Sequence, residues 1–190
     1  MKDSLSGKKI AFLATDGVEQ VELTKPKKTL EAAGATIEIL APKSGEIKAW
    51  KSKDWGEKLK VDKSVGHADV SDYDALVLPG GVMNPDHLRT EPDAIQFVKD
   101  FARTGRPIAA VCHGPWTLIE AGLVRGKKMT SWPSLKTDLK NAGANWVDEA
   151  VVVDGNLITS RKPEDLDTFS RAIMDQIEQI GHAERLRAAS

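Results

Sequence analysis

The stretch that most constrains this chain is Pro107–Gly122, PIAAVCHGPWTLIEAG. Apolar residues from Ile108 to Val111 run straight into Cys112-His113-Gly114-Pro115, after which Trp116, Leu118, Ile119 and Leu123 recur at helical spacing. The pattern predicts a strand, a sharp turn and a helix. Ala110 and Gly114 flank Cys112 at two positions either side, as a strained strand-to-helix nucleophile elbow requires, because no bulky side chain fits beside the residue it presents. Pro115 suits a first helical turn, where a missing N–H costs nothing. A cysteine over a helix N-terminus meets unpaired N–H groups and the positive end of the dipole, so its thiol is expected below the free value of ~8.5. A lone cysteine ending an apolar strand is otherwise a small buried hydrophobe. The small neighbours, the adjacent histidine and the turn before a helix make Cys112 the first candidate for a reactive residue.

Composition narrows the class. A chain of 190 residues, 41% hydrophobic and 29% charged, fits one domain with a substantial core. A net charge of −1 with no basic stripe gives no footprint for nucleic acid. The apolar stretch near the amino terminus is too short for a signal segment, and nothing elsewhere approaches a membrane span. One cysteine forms no internal disulfide, which fits a reducing compartment; a cytoplasmic location is expected.

Short β-rich runs alternate with helical patterns. Lys8–Thr15 reads as a buried strand entering the turn Asp16-Gly17, then a helix to Ala33 ended by Gly34. Thr36–Ala41 is a second strand, and Gly45–Val65 carries the period-two pattern of an exposed antiparallel hairpin. Asp74–Pro79 is a strand, Pro92–Thr104 a helix and Pro107–Val111 the strand before the elbow. Lys128–Trp132 predicts a further strand and Ser134–Asn141 a helix capped by Gly143. Val151–Val153 and Leu157–Ser160 form a pair across Asp154-Gly155-Asn156. Pro163–Ile180 reads as a long amphipathic helix, with a fraying tail over His182–Ser190. Such alternation implies an α/β fold with a mostly parallel sheet covered on both faces, whose functional groups gather beyond the carboxyl ends of the strands.

Three strand ends would open on one crevice: Asp16-Gly17-Val18-Glu19, Gly80-Gly81 and Cys112-His113. Glu19 is a candidate to hydrogen-bond the sulfur, and equally fits a solvated carboxylate at a helix N-terminus. Gly80-Gly81 fits a tight turn, and beside the elbow it also fits backbone whose N–H groups could meet a developing oxyanion. No Walker or dinucleotide glycine pattern follows any strand, and His67, His87 and His182 have no ligand spacing; neither a cofactor nor a metal is expected.

Ala110-Val111-Cys112-His113-Gly114-Pro115, together with Leu78-Pro79-Gly80-Gly81 and Gly17-Val18-Glu19-Gln20-Val21-Glu22-Leu23, resembles the PfpI family. That family lies within the superfamily of the Parkinson-associated deglycase and the class I glutamine amidotransferases. The resemblance runs from about Lys8 to Ile180, including Thr130-Ser131-Trp132-Pro133 and Ser160-Arg161-Lys162-Pro163. It implies a single domain with a flavodoxin-like three-layer sandwich, the nucleophile on Cys112 and its contacting carboxylate on Glu19. The oxyanion donors fall on the backbone of Gly81 and His113. In protease-like members the imidazole of His113 is completed by an acidic residue of a neighbouring subunit in a homo-oligomer, and the matching position is Asp86. Asp86 equally fits the N-cap of a short helix after Pro85. Glutaminase chemistry is disfavoured, since Arg161-Lys162-Pro163-Glu164 lacks the histidine base of that class.

Two classes of function follow from the resemblance. One is a stress-response enzyme, either a deglycase or glyoxalase acting on dicarbonyls and glycated proteins, or a peptidase using the same parts. The other is a non-catalytic redox sensor or chaperone whose cysteine stops at sulfinate.

Overall fold

The computed structural model describes residues 4–188. In chain order it forms β1 (Lys9–Leu13), α1 (Gln20–Ala32), β2 (Thr36–Ala41), β3 (Gly45–Lys51), β4 (Asp54–Val61) and β5 (Lys63–Ser64). Then come β6 (Ala75–Leu78), α2 (Met83–Leu88), α3 (Pro92–Arg103), β7 (Ile108–Val111), α4 (Pro115–Glu120) and β8 (Lys128–Met129). The last elements are α5 (Lys136–Asn141), β9 (Asn145–Trp146), β10 (Val151–Asp154), β11 (Leu157–Ser160) and α6 (Leu166–Ala188).

Seven strands make one sheet in the order β10-β11-β7-β6-β1-β2-β5. Every pairing in it is parallel except the antiparallel hairpin of β10 and β11 at one edge. The alternation of strand side chains splits the apolar residues into two cores. Ile10 and Phe12 of β1, with Ala109 and Val111 of β7, pack under Leu23 and Leu30 of α1 and Phe169 and Ile173 of α6. Ala11, Leu13 and Ala110 face the other way onto Phe97 and Phe101 of α3 and Leu118 of α4. The fold is therefore a flavodoxin-like α/β sandwich in which a mostly parallel sheet is covered on both faces. No helix among the described residues is long and apolar enough to cross a membrane.

Most expected elements are present, and the departures have local causes. The segment Lys128–Trp132 was expected to be strand throughout, but only Lys128 and Met129 pair, in a small parallel sheet with β9. Beyond them the chain turns over the elbow, where the Trp132 N–H donates to the Cys112 carbonyl at 2.9 Å and Pro133 opens a single tight helical turn. The final helix starts after a turn at Pro163–Asp165 and continues through His182 to Ala188, so the expected fraying tail is helical to that point; its last two residues lie outside those described. Asp86 is not an N-cap: α2 begins three residues earlier, and Asp86 lies within its first turn.

The hairpin β3–β4 stands apart from the main sheet and leans on the start of α1. The Gly17 N–H donates to the Lys48 carbonyl, the Trp50 N–H to the Val18 carbonyl, and the Lys48 N–H to Asp16 Oδ1. Gln20 clasps the far strand, accepting from the Glu57 N–H at 2.9 Å and donating to Glu57 Oε1 at 3.2 Å.

Gly114 marks where the ends of β6 and β7 come closest. A Cβ there would sit 2.4 Å from the Leu78 carbonyl oxygen and 2.9 Å from that of Val111, both backbone atoms that cannot swing aside. Gly114→Ala is expected to destabilise the fold by about 1–3 kcal/mol, the usual cost of forcing extra volume into packed structure. A chemical-denaturation midpoint equal to that of the unaltered protein would contradict this.

Candidate active site

The site is built where β7, β6 and β1, three neighbouring strands of the sheet, end together. Cys112 leaves β7 with φ 61°, a left-handed conformation that side chains other than glycine rarely adopt. Its N–H donates to the Ser160 carbonyl at 3.1 Å, its carbonyl accepts from Trp132, and the Gly114 N–H closes the turn onto Val111. These bonds hold the expected elbow in place and leave the thiol 7% exposed at the floor of a cleft.

The carboxyl group beside the sulfur belongs to Glu22, not to Glu19. Glu22 is buried, hydrogen-bonds the thiol, and accepts the Gly80 N–H at 2.9 Å. Gly80 is glycine because there is no room for more: a Cβ would lie 2.5 Å from Glu22 Oε2 and 2.8 Å from the Cys112 Cβ. Glu19 is the N-cap of α1, where its Oε1 accepts the Ser52 N–H at 3.2 Å at the cleft mouth. The physical reason is helix phase. Glu22, Pro26 and Leu30 recur every four residues on the face that α1 buries, so a carboxylate in that stripe points inward. That spacing was the signal in the sequence, and attention to the strand end alone missed it.

The N–H groups of Gly81 and His113 both favour ionisation of the Cys112 thiol, so the two residues expected to supply oxyanion donors lie together beside it. Gly81 has φ 79°, and a Cβ on it would come within 2.6 Å of the Gly17 carbonyl and 2.7 Å of the Glu19 nitrogen. Asn84, which sequence reasoning did not single out, pins this loop. It is fully buried, accepts the Thr15 N–H at 2.8 Å, and donates to the carbonyls of Pro79 and Gly80 at 2.9 and 3.1 Å. An amide that both accepts and donates ties the ends of β1 and β6 to each other.

The imidazole of His113 approaches the sulfur through Nδ1 at 3.1 Å and is held between Trp116 and Trp132, with ring centroids 5.1 and 6.2 Å away. Its Nε2 meets Ser134 Oγ at the long distance of 3.5 Å. Burial lowers its pKa, favouring the neutral ring. Asp86 is exposed on α2 and forms no hydrogen bond or ion pair among the described residues, so within one chain no carboxylate orients this ring. Among the described residues, no three His, Cys, Asp or Glu side chains gather as a metal would require.

Electrostatics overturn the expectation of an acidic thiol set by a helix end. The helix after the elbow, α4, has only six residues, whereas burial pushes the Cys112 thiol up, as does the charge of Glu22 when ionised. The Gly81 and His113 N–H groups act in the opposite direction. Burial likewise pushes the Glu22 carboxyl up, to about 8, against its hydrogen bonds to the thiol and to Gly80. Two groups in contact share a proton and titrate as a pair. When Glu22 holds it, the carboxyl O–H donates to sulfur and its charge no longer opposes a thiolate.

The remaining cleft is ≈530 Å³, walled by Trp50 and Ser52 of the hairpin, Val82 and Met83 at the start of α2, and Trp132 and Pro163 opposite.

A carboxyl raised on folding binds a proton in the native state that the unfolded chain has already lost. Its effect on stability is therefore nil below the unfolded value of 4.5 and increasingly unfavourable as pH rises toward about 8. Glu22→Gln should gain stability over the parent through that window, by at most about 1.4 kcal/mol per pH unit, with no difference in acid. Thermal melts from pH 4 to 9, both proteins carrying Cys112→Ser to silence the thiol, would check it; a pH-independent difference would contradict it.

Comparison with known proteins agrees with this geometry. A sequence profile described as the DJ-1/PfpI family matches residues 8–176. A Bacillus subtilis (strain 168) protein named "Putative cysteine protease YraA" is 44% identical over 164 residues, covering 86% of this chain and 95% of its own length. A two-domain protein from Anabaena variabilis, with DJ-1/ThiJ/PfpI-like and ferritin-like domains, superposes with a TM-score of 0.85 at 41% identity over 90% of this chain. The match takes in 48% of that protein, so this chain spans about half its length. DJ-1beta of Drosophila melanogaster superposes with a TM-score of 0.80 at 28% identity, over 93% of this chain and 96% of its own. With the profile spanning most of its length and the elbow, glycine pair and buried carboxyl in one cleft, the chain belongs to the DJ-1/PfpI family.

Proposed function

We propose that Cys112 adds to the carbonyl carbon of small dicarbonyl compounds and their protein adducts, as a deglycase or glyoxalase would. The observation that carries this reading is the contact of the thiol with a carboxyl whose pKa lies at about 8, in a small cleft with two N–H groups at the same sulfur. A group poised near the working pH both gives and takes a proton readily.

With a dicarbonyl aldehyde, the chemistry balances within these groups and water. From the state in which the pair holds one proton, on Glu22, and Cys112 is a thiolate, the Sγ–C bond forms as the C=O pair passes to oxygen, which takes the Glu22 proton while the N–H groups of Gly81 and His113 face the developing charge. Glu22, now a carboxylate, removes the hydrogen from that carbon and returns it to the neighbouring carbonyl carbon. The hydroxyl proton on the first carbon's oxygen passes to the oxygen of the second, so the first carbon is oxidised to a thioester and the second reduced to an alcohol. Water cleaves the thioester, releasing a hydroxy acid and the thiol. His113, with a neutral ring and no carboxylate behind it in one chain, is not needed as the base.

The name of the B. subtilis relative favours a second reading, a peptidase in which His113 serves as base and acid. That scheme needs Asp86 from another copy in a homo-oligomer, because the ring needs a third group to orient it. A stress-response role in the cytoplasm accords with either chemistry.

The deciding experiment measures methylglyoxal and fluorogenic-peptide turnover by the purified protein. Cys112→Ser should abolish dicarbonyl turnover, and Glu22→Gln should lower it by about 10²–10⁴-fold. Asp86→Asn should leave it intact, with sedimentation confirming unchanged assembly. Peptide turnover that Asp86→Asn removes would replace this reading with the peptidase. Turnover of neither substrate, with peroxide oxidation confined to Cys112, would move it to a redox sensor.

A further inference from the structure

The cleft has an uneven charge. Its lining holds two carboxyl groups, Glu19 and Glu22, and the neutral-leaning imidazole of His113, but no lysine or arginine. Lys51, Lys53 and Lys162 adjoin lining residues in sequence yet do not line the cleft. Glu22 is committed to the thiol and the Gly80 N–H.

Glu19 has no such commitment. It sits half-buried at the mouth, one oxygen accepting from Ser52, and no cationic side chain pairs with it among the described residues. Beside it lie Trp50, whose backbone bridges to Glu19, and across the cleft Trp132, 38% exposed and stacked on His113. A carboxylate next to indole rings attracts cations twice over, by charge and by the ring quadrupole, and repels anions.

We propose that this cleft selects carbonyl substrates whose group beyond the reacting carbon is an ammonium or guanidinium, rejects those bearing a carboxylate such as keto acids, and owes that selection to Glu19. The proposal rests on the carbonyl reading for the atom that reacts. The charge selection itself resides in the cleft walls and can be measured without turnover.

Cys112 is the one cysteine in the chain, so a thiol reagent reports on this site alone. Two methanethiosulfonates of similar size, one ending in trimethylammonium and one in sulfonate, each form a disulfide with Sγ and expel methanesulfinate. Their rates at pH 8 and low salt, followed by intact mass and normalised to free cysteine, give a ratio in which the thiolate fraction cancels. The expected ratio favours the cationic reagent by about tenfold, and Glu19→Gln, whose amide oxygen can still accept from Ser52, should bring it most of the way to that of free cysteine. A ratio equal to that of free cysteine in the parent, or one unmoved by Glu19→Gln in a folded variant, would overturn the proposal. Charge preference without dicarbonyl turnover would sustain it and refute the reading of function. Dicarbonyl turnover without charge preference would do the reverse.

Discussion

A carboxyl group and a thiol meet in this fold with only a glycine's backbone beside them, and much else is arranged to permit that contact. Burying Glu22 costs free energy, since a carboxylate out of water is penalised unless it is neutralised or bonded. The Gly80 N–H and the shared proton offset part of that cost. The first turn of α1, the exit of β6 and the exit of β7 each supply one member, which requires the three central strands to end level with one another. The buried amide of Asn84 keeps two of those ends in register.

The fold was legible because its central strands are short, wholly apolar and separated by helical patterns, a combination that leaves few architectures open. The elbow was legible for a steric reason, the small residues around Cys112. The choice between Glu19 and Glu22 was legible only in the four-residue spacing of Glu22, Pro26 and Leu30, not at the strand end. They stand three positions apart, close enough to share a helix face, and which one turns inward depends on where the helix begins. The observed start at Gln20 leaves Glu19 at the N-cap and Glu22 in line with the buried Pro26 and Leu30. Trp132 was hidden for a different reason. It ends a segment, Lys128–Trp132, that reads as strand, and the hydrogen bond to the Cys112 carbonyl reveals that the segment crosses the elbow. The expectation of an acidic thiol rested on a helix end, which is visible in a sequence, whereas the burial that pushes the thiol up is not.

Backbone strain follows the same geography. The two non-glycine residues in left-handed conformation among those described, Cys112 and Ser52, face the same cleft from opposite sides. One presents the nucleophile and the other turns its N–H toward Glu19. Each costs of order 1–3 kcal/mol and persists because the bonds around it leave the chain no alternative.

The hairpin that carries Ser52 contributes no strand to the main sheet; it is tied to the loop before α1 and to Gln20, and it buries Ile47, Ala49 and Val61 in the core on that side. The proposed chemistry and the proposed recognition thus fall on different pieces of chain. The sulfur and the N–H groups of Gly81 and His113 sit at the ends of central strands and Glu22 on α1, while Trp50 and Ser52 belong to the hairpin. On the proposed function, redecorating the tip of that hairpin would change which small molecules the cleft admits while the reacting atoms stay where the central strands put them.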